Sequence, residues 1–481
     1  MTATALKTRF APSPTGLLHL GNVRTALFNY LWARHGAGVF LLRIEDTDAT
    51  RGEERYIEAL KADLQWLGLP WDEGPDRAGP NAPYAQSQRG ELYQKFAARL
   101  VAAGLAYPCF CTEHELKLER KTQIAAGHPP RYSGRCRALS AQDVEARRAH
   151  GTPATLRFHV ADGRNVDFVD RVRGPQHFST SDIGDFVIRR SDGTPAFFFC
   201  NAVDDATMAV SIVVRGDDHL TNTPRQILLL EALELPAPEY AHIPLVVGAD
   251  GAPLSKRTGS RSLQDLRDAG YMPAAINNYL ARVGHTYDAS ELLSLNELAR
   301  QFDLGRVHHS PARYDETQLL HWQREAVRAA TIDALWQWLG ADVHALVPAQ
   351  DRDAFLDAVR ANITFPPDAL HWARVVYADA MTLSPAAGEI VETVGAAFFE
   401  HALGALDKLA SPDFAKLAAD TAVLTGAKGK SLFQPLRGAL TGDLHGPEMA
   451  KLVPLIGVSR IRARLQQAAA RSRAKNRTAN G

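Results

Sequence analysis

The sequence predicts an α/β protein: an open parallel sheet interrupted by an insertion and followed by an all-α C-terminal third. Three observations carry this expectation. Apolar strands alternate with amphipathic helices at the start of the chain and again after residue 197, the pattern of parallel βαβ units. Between them, roughly 90–196 breaks into short segments holding Pro129-Pro130 and Cys109, Cys111 and Cys136. Beyond about residue 322 no strand alternation remains, and Ala, Leu and charged residues recur at helical spacing.

The elements follow in order. Leu6 to Ala11 reads as a strand. Val23, Ala26, Leu27, Tyr30 and Leu31 then fall at i, i+3, i+4, i+7 and i+8, one apolar helical face, and Gly36 and Gly38 end that helix. VFLLRI, Val39 to Ile44, is a second strand, continuous enough for burial on both faces. A further helix sets Ile57, Leu60, Leu64 and Leu67 on one side. After the insertion, FFFCNAV and SIVVRG read as strands, Arg225 to Leu233 as a helix and PLVVG as a strand. The expected domains are 1–89 and 197–260 for the two sheet halves, 90–196 for the insertion, 261–321 for a connecting region and 322–481 for the helices.

Bulk properties narrow the class. At 481 residues the chain suggests roughly two to four domains. Hydrophobic residues at 46% and charged residues at 22% exclude wholesale disorder. No apolar run reaches about 18 residues, and MTATALKTRF lacks an apolar signal region, so a cytoplasmic protein without membrane partners is expected. Lys plus Arg and Asp plus Glu are both 54, so net charge points to no nucleic acid, though a local basic surface is compatible with one. No acidic residue follows Glu448, while eight basic residues do; the last ten residues read as a solvated, frayed tail. Four cysteines make no disulfide framework in a chain this long.

Chemistry enters at RFAPSPTGLLHLGN, Arg9 to Asn22, which lies between a strand end and a helix start. Open α/β sheets bind ligands there. Pro12 and Pro14 stiffen the loop, Gly16 and Gly21 permit close backbone approach, and the helix beginning near Asn22 offers N–H groups to phosphate. His19 and Asn22 can donate hydrogen bonds to an anionic group; in isolation they would read as a loop histidine and an N-cap. Glu45 directly follows the second strand and points at the same crevice, while Asp46 and Asp48 also suit the start of the following helix. Arg9 and Arg215, on the first strand and at the end of SIVVR, can reach the crevice or form surface ion pairs.

PLSKR, Pro253 to Arg257, follows PLVVG across a glycine-flanked loop. Ser255, Lys256 and Arg257 are suited to close over a triphosphate and offset charge on departing pyrophosphate. In the helical third, Lys428, Lys430 and Arg437 near Phe433 can meet phosphates and stack an unpaired base, or simply form a solvated face.

With these residues in view, the sequence resembles the class I aminoacyl-tRNA synthetases in the form of bacterial glutamyl-tRNA synthetases. RFAPSPTGLLHLGN resembles the family's ATP-binding "HIGH" loop and LSKR its "KMSKS" loop; IEDTD, RGDDH and TGAKGKSLFQPLRGALTG fall in the family's order along nearly the whole chain. The resemblance implies a Rossmann-like catalytic domain, an acceptor-end-binding insertion and a helical anticodon-binding region, where the glutaminyl enzymes use β-barrels. It implies catalytic roles for His19, Asn22, Lys256 and Arg257, and ATP contacts from Pro12, Gly16, His19, Gly21, Ser255 and Lys256. It implies glutamate binding by Arg9, Ser13, Glu45, Phe197, Asn201 and Arg215, with Glu45 on the amino group, and tRNA contacts from Lys428, Lys430 and Arg437. ATP with Mg²⁺, L-glutamate, and tRNA-Glu, tRNA-Gln or both are the implied partners of a monomer, and tRNA binding is implied to precede efficient glutamate activation.

Three departures stand out. Phe197 replaces the family's usual tyrosine, Asn22 replaces the second histidine of the ATP loop, and Ala138 stands where zinc-binding members carry a histidine. Cys109, Cys111 and Cys136 therefore need another fourth ligand to hold zinc, such as Tyr132, His114 or His128, and unligated thiols are the favoured expectation. Three rival functions stand against this; one, a truncated relative that modifies a tRNA base, would lack the helical extension. A small-molecule nucleotidylyltransferase shares the phosphate loop but gives no reason for a long helical extension, and a non-catalytic RNA-binding paralogue would tolerate damage to ATP loops that are intact here.

Overall fold

The protein is described by a computed structural model that covers residues 5–47, 54–77, 79–128, 130–248, 250–252, 254 and 261–479. The contacts divide it into two units, Met1–Arg267 with Ile276–Glu316, and Asp268–Ala275 with Thr317–Gly481.

The first unit starts with β1 (Lys7–Phe10), α1 (Leu20–His35) and β2 (Val39–Leu42), and β1 pairs with β2 in parallel from Lys7↔Val39 to Phe10↔Leu42. The helix begins two residues earlier than expected, with His19 at its N-cap, so Asn22 sits inside the first turn. Nor does α1 show only one apolar face. Val23, Leu27, Phe28 and Leu31 are buried, and so are Arg24 and Asn29. Those two polar chains find partners across the fold: Asn29 Nδ2 donates to the Val214 carbonyl at 2.9 Å, and Arg24 donates to the Val283 and Pro244 carbonyls at 2.7 Å each. Arg24 Nη2 and Asn29 Oδ1 are buried without a hydrogen bond, so the satisfaction is partial.

After α2 (Glu54–Trp66) and α3 (Gly90–Ala102) come β3 (Ala106–Cys109), α4 (Glu113–Ala125), α5 (Ala141–Ala149) and β4 (Thr155–Phe158). The hairpin β5 (Asn165–Asp170) and β6 (Gly174–Ser179), the single turn α6 (Thr180–Ile183) and β7 (Phe186–Arg189) complete the stretch expected as an insertion. Its strands form one antiparallel sheet in the order β3-β4-β7, while the hairpin joins a different sheet.

The second half holds α7 (Phe197–Thr207), β8 (Ile212–Gly216), α8 (Thr223–Ala232), β9 (Glu239–Ile243) and β10 (Val246–Val247). FFFCNAV, expected as a strand, is the start of α7. A short apolar run fits a buried strand or a buried helix equally well by periodicity. Here Phe199, Cys200, Ala202 and Val203 are all buried in a core shared with Leu228, Leu229 and Leu230 of α8, which a helix covered on several sides requires. β8 and β9 pair in parallel, and the sheet order β6-β5-β9-β8 brings the insertion's hairpin onto it through Asp170↔Tyr240. β8 also meets β1, where the Ser211 N–H donates to the Lys7 carbonyl at 3.0 Å. The PLVVG strand shrinks to β10, which pairs with β11 (Ala312–Arg313) rather than with β9. Between them run α9 (Leu263–Asp268), α10 (Pro273–Arg282) and α11 (Leu295–Gln301).

The second unit is helical, as expected. It contains α12 (Glu316–Ala329), α13 (Ile332–Leu339), α14 (Ala341–His344), α15 (Arg352–Val359) and α16 (Pro366–Tyr377), then α17 (Pro385–Thr393), α18 (Ala396–Leu406), α19 (Phe414–Thr425), α20 (Lys430–Thr441) and α21 (Met449–Ala479). Buried Gln323 ties segments together by donating to the Thr364 carbonyl at 2.9 Å and accepting from the Met272 N–H at 2.9 Å. The basic C-terminus is not simply a solvated tail. Arg464 is buried and donates to the Leu440 and Val375 carbonyls, while Arg462, Arg471 and Lys475 pair with Asp407 and Glu392, and Arg473 with Glu400.

Candidate functional site

A cavity of about 790 Å³ opens at the carboxyl ends of β1 and β8 and the start of α1. From the first loop, Pro12, Ser13, Gly16, His19, Gly21 and Asn22 line it; from strand ends come Arg9, Glu45 and Arg215; from α7 come Phe197 and Asn201. The described residues expected to bind ATP and glutamate therefore meet in one place, while the candidate zinc set lies elsewhere. Ser255, Lys256 and Arg257, like Asp48, lie outside the described residues, but Leu254 just before them lines the cavity.

The first loop is held by local contacts. The His19 backbone N–H points to Asn22 Oδ1 at 3.5 Å, and Leu18 accepts from the Leu263 N–H at 2.8 Å. A Cβ at Gly21 would stand 3.1 Å from the His19 ring, so glycine is what leaves the imidazole its place. Together with the N-terminus of α1, this edge of the cavity is suited to phosphate oxygens.

The floor is ionic. Arg43, wholly buried, donates to Asp205 Oδ1 at 2.7 Å, Asn201 Oδ1 at 2.9 Å and Glu45 Oε1 at 3.2 Å. Arg9 Nε shares the same Asp205 oxygen at 3.1 Å. Asp204 takes Arg89, Gln86 and Tyr93 at 2.7–2.8 Å. Burial works against the Asp205 charge, but Arg43 and Arg9 outweigh it and hold its carboxyl below the usual range. Burial pushes the Glu45 carboxyl up, only partly offset by Arg43 and Arg9. Neither Arg43, Asp204 nor Asp205 was singled out from the sequence. The signal was there in LLRIEDTD and NAVDDAT: a charge inside an apolar strand and two inside an apolar run need buried partners.

Arg215 is held differently. Its Nε donates to His242 Nε2 at 3.1 Å, and its Nη2 to Thr223 Oγ1 at 2.8 Å and Gln226 Oε1 at 2.7 Å, all neutral acceptors. Burial, reinforced by Arg9 nearby, lowers its pKa to about 10. Phe197 is partly exposed on the opposite side and stacks on His219, with ring centroids 5.6 Å apart.

Away from the cavity, the sulfurs of Cys109, Cys111 and Cys136 lie within 4.8 Å of one another. Tyr132 Oη stands 3.4 Å from Cys109 Sγ and 3.5 Å from Cys111 Sγ. His114 and His128 are not part of this group. Three thiols and a phenol converging in this way form a donor set suited to tetrahedral zinc, a closer fit than the sequence spacing alone implied.

In the second unit, Lys428 and Lys430 are exposed beside Phe433, which is 48% exposed. Arg437 is separate in character: half-buried, it donates to the Pro447 carbonyl at 2.9 Å.

A nucleotide-type loop at a helix start, facing two buried arginines and an acid across a parallel-sheet crevice, is suited to hold a nucleotide phosphate beside an anionic amino acid. In sequence, residues 5–322 match the family model of the class I tRNA synthetases (E and Q), catalytic domain, and residues 331–469 match that of an anticodon binding domain. The chain belongs to this family of class I aminoacyl-tRNA synthetases. Among curated relatives, glutamate–tRNA ligase 2 of Nitrosococcus oceani is 56% identical over 97% of this chain and 98% of its own length. Glutamate–tRNA ligase 1 of Methylococcus capsulatus is 53% identical over 96% and 98%. The crystal structure of a glutamate tRNA ligase from Elizabethkingia meningosepticum in complex with its amino acid matches with a TM-score of 0.86 at 29% identity, covering 97% of this chain and 99% of that one.

Proposed function

We propose that this chain is a glutamate–tRNA ligase that activates L-glutamate with ATP and transfers it to the terminal adenosine of tRNA. The observation that carries this is the single cavity uniting the His19 loop with Arg9, Glu45 and Arg215. ATP, with Mg²⁺ as part of that substrate, lies with its phosphates along His19, Gly21 and the N-terminus of α1. Glutamate places its amino group at Glu45 and its carboxylates toward Arg9 and Arg215, with Ser13, Asn201 and Phe197 completing the pocket. The glutamate α-carboxylate attacks the α-phosphate, giving glutamyl-adenylate and pyrophosphate; the 2′-hydroxyl of the terminal adenosine then takes the glutamyl group and AMP leaves. No side chain need form a covalent bond, because alignment and stabilisation of phosphate charge by His19, Lys256 and Arg257 do the work.

Residues 1–89 and 197–260 serve as the catalytic halves, 90–196 as the acceptor-end region, 261–321 as the stem-contact region and 322–481 as the anticodon reader, with Lys428 and Lys430 toward phosphate. The protein acts as a cytoplasmic monomer; among the described residues no helix is long and apolar enough to cross a membrane. Cys109, Cys111, Cys136 and Tyr132 would hold a Zn²⁺ that ties β3 to the 135–138 turn without entering the chemistry. Elemental analysis of purified protein checks this: about one zinc per chain is expected, and its loss in Cys136→Ser.

The test of function is charging of separate tRNA-Glu and tRNA-Gln transcripts by purified protein, ATP and glutamate. Charging of tRNA-Glu alone makes the enzyme discriminating, charging of both makes it non-discriminating, and charging of tRNA-Gln alone makes it a specialised duplicate. Binding of tRNA without any charging would favour the non-catalytic paralogue and refute the proposal.

A further inference from the structure

Arg215 is a buried cation whose protein partners are all neutral. Among the described residues no carboxylate lies within ion-pair distance of it, whereas Arg9 and Arg43 both touch Asp205. Its Nη1 is buried and makes no hydrogen bond, and the residue lines the cavity. An unpaired charge of this kind is costly unless a ligand completes it. What keeps the guanidinium in this pose is a chain of contacts leading away from the cavity.

The chain runs through His242 to Asp170. An arginine can only donate, so His242 Nε2 must accept from Arg215 Nε, and the ring proton must sit on Nδ1. That Nδ1–H donates to Asp170 Oδ2 at 2.6 Å. Asp170 in turn is fixed by the N–H groups of Val172 at 2.9 Å and Arg173 at 2.8 Å, and of His242 at 3.1 Å. The side chains of both His242 and Asp170 are completely buried. Three strands are thereby linked: β8 bears Arg215, β9 bears His242, and β5, from the hairpin of the expected insertion, bears Asp170.

We propose that Asp170 and His242 are positioning residues that hold the Arg215 guanidinium at the cavity wall, so that a carboxylate of the amino-acid substrate becomes the counterion Arg215 lacks. This rests on the glutamate–tRNA ligase reading above. Asp170 sets the imidazole tautomer, and the imidazole sets the arginine. The hairpin at residues 165–179 thus takes part in amino-acid recognition without touching the amino acid.

The test is steady-state charging kinetics on full-length His242→Leu, His242→Gln and Asp170→Asn, each first checked for native circular dichroism. His242→Leu should raise the KM for glutamate about tenfold or more, as expected for losing a hydrogen bond to a charged group. The KM values for ATP and tRNA should stay within about twofold, since the ligase reading places neither substrate at Arg215. His242→Gln, which can still accept from Arg215, should recover part of the loss, and Asp170→Asn should fall between them. Parallel increases in all three KM values, or an unchanged glutamate KM in any folded His242→Leu or Asp170→Asn, would overturn the positioning role. Should His242→Leu not fold, Asp170→Asn decides by the same criterion. A wild-type protein that charges no tRNA would refute the ligase reading itself, and this proposal with it.

Discussion

Phe197 is one of the departures that the sequence resemblance implies, and its setting gives that departure a size. The ring lines the cavity, leans on His219 and is 36% exposed, so it brings area and shape but no donor. Restoring a hydroxyl there adds one neutral hydrogen bond at most, worth about twofold to tenfold in affinity. Phe197→Tyr should therefore lower the KM for glutamate by that factor and leave kcat near wild type, in a charging assay at limiting glutamate. A KM that rises instead would mean that the space is already filled by ordered solvent or by the substrate. Most of the cavity was legible at this scale because loop glycines, a histidine and strand-end charges are local features of the sequence. The residues behind them were not. Arg43 and His242 act through partners more than 100 and more than 70 positions away, and no local pattern announces such pairings.

Elements repeat the lesson with a different cause. Strand β1, helix α1 and strand β2 follow from apolar patterning because they are consecutive in the sequence and adjacent in the fold. FFFCNAV misleads because seven apolar-rich residues carry no period, and only the core on several sides of α7 decides for a helix. On α2, the same scale yields a pH effect. Asp63 is buried, its Oδ2 has no hydrogen-bond partner, and burial, only weakly opposed by Arg267, pushes its pKa up to about 6. Because the folded value lies above the unfolded one, this carboxyl is harmless at pH below about 4 and destabilises increasingly as pH rises to about 6. Asp63→Asn should thus stabilise the protein at pH 7 by up to about 3 kcal/mol and flatten the pH 4–6 part of the stability curve. Urea unfolding at several pH values measures it; equal gains at pH 4 and pH 7 would show that ionisation is not the cause.

For the molecule as a whole, the balance of 54 basic and 54 acidic residues means that tRNA must be held by local charge, not by net charge. Much of the basic C-terminus is already spoken for: Arg462, Arg471 and Arg473 of α21 pair with Asp407, Glu392 and Glu400. Lys428 and Lys430 make no such pairs among the described residues, and both are exposed beside an exposed phenylalanine. The double variant Lys428→Glu, Lys430→Glu should raise the KM for tRNA at least about tenfold, with an effect that shrinks at high salt, while the KM for glutamate stays put. A tRNA KM unchanged at low salt would move the anticodon contact elsewhere on the helices.

The unpaired Nη1 of Arg215 also bears on how selectivity arises. A buried cation bonded only to neutral groups leaves part of its bonding capacity for an anion. Under the proposed placement of glutamate, selectivity begins before any chemistry: an uncharged amide would not neutralise the guanidinium, whereas a dicarboxylic amino acid would, with its amino group at Glu45. On this view the amino acid is a late-arriving part of the core.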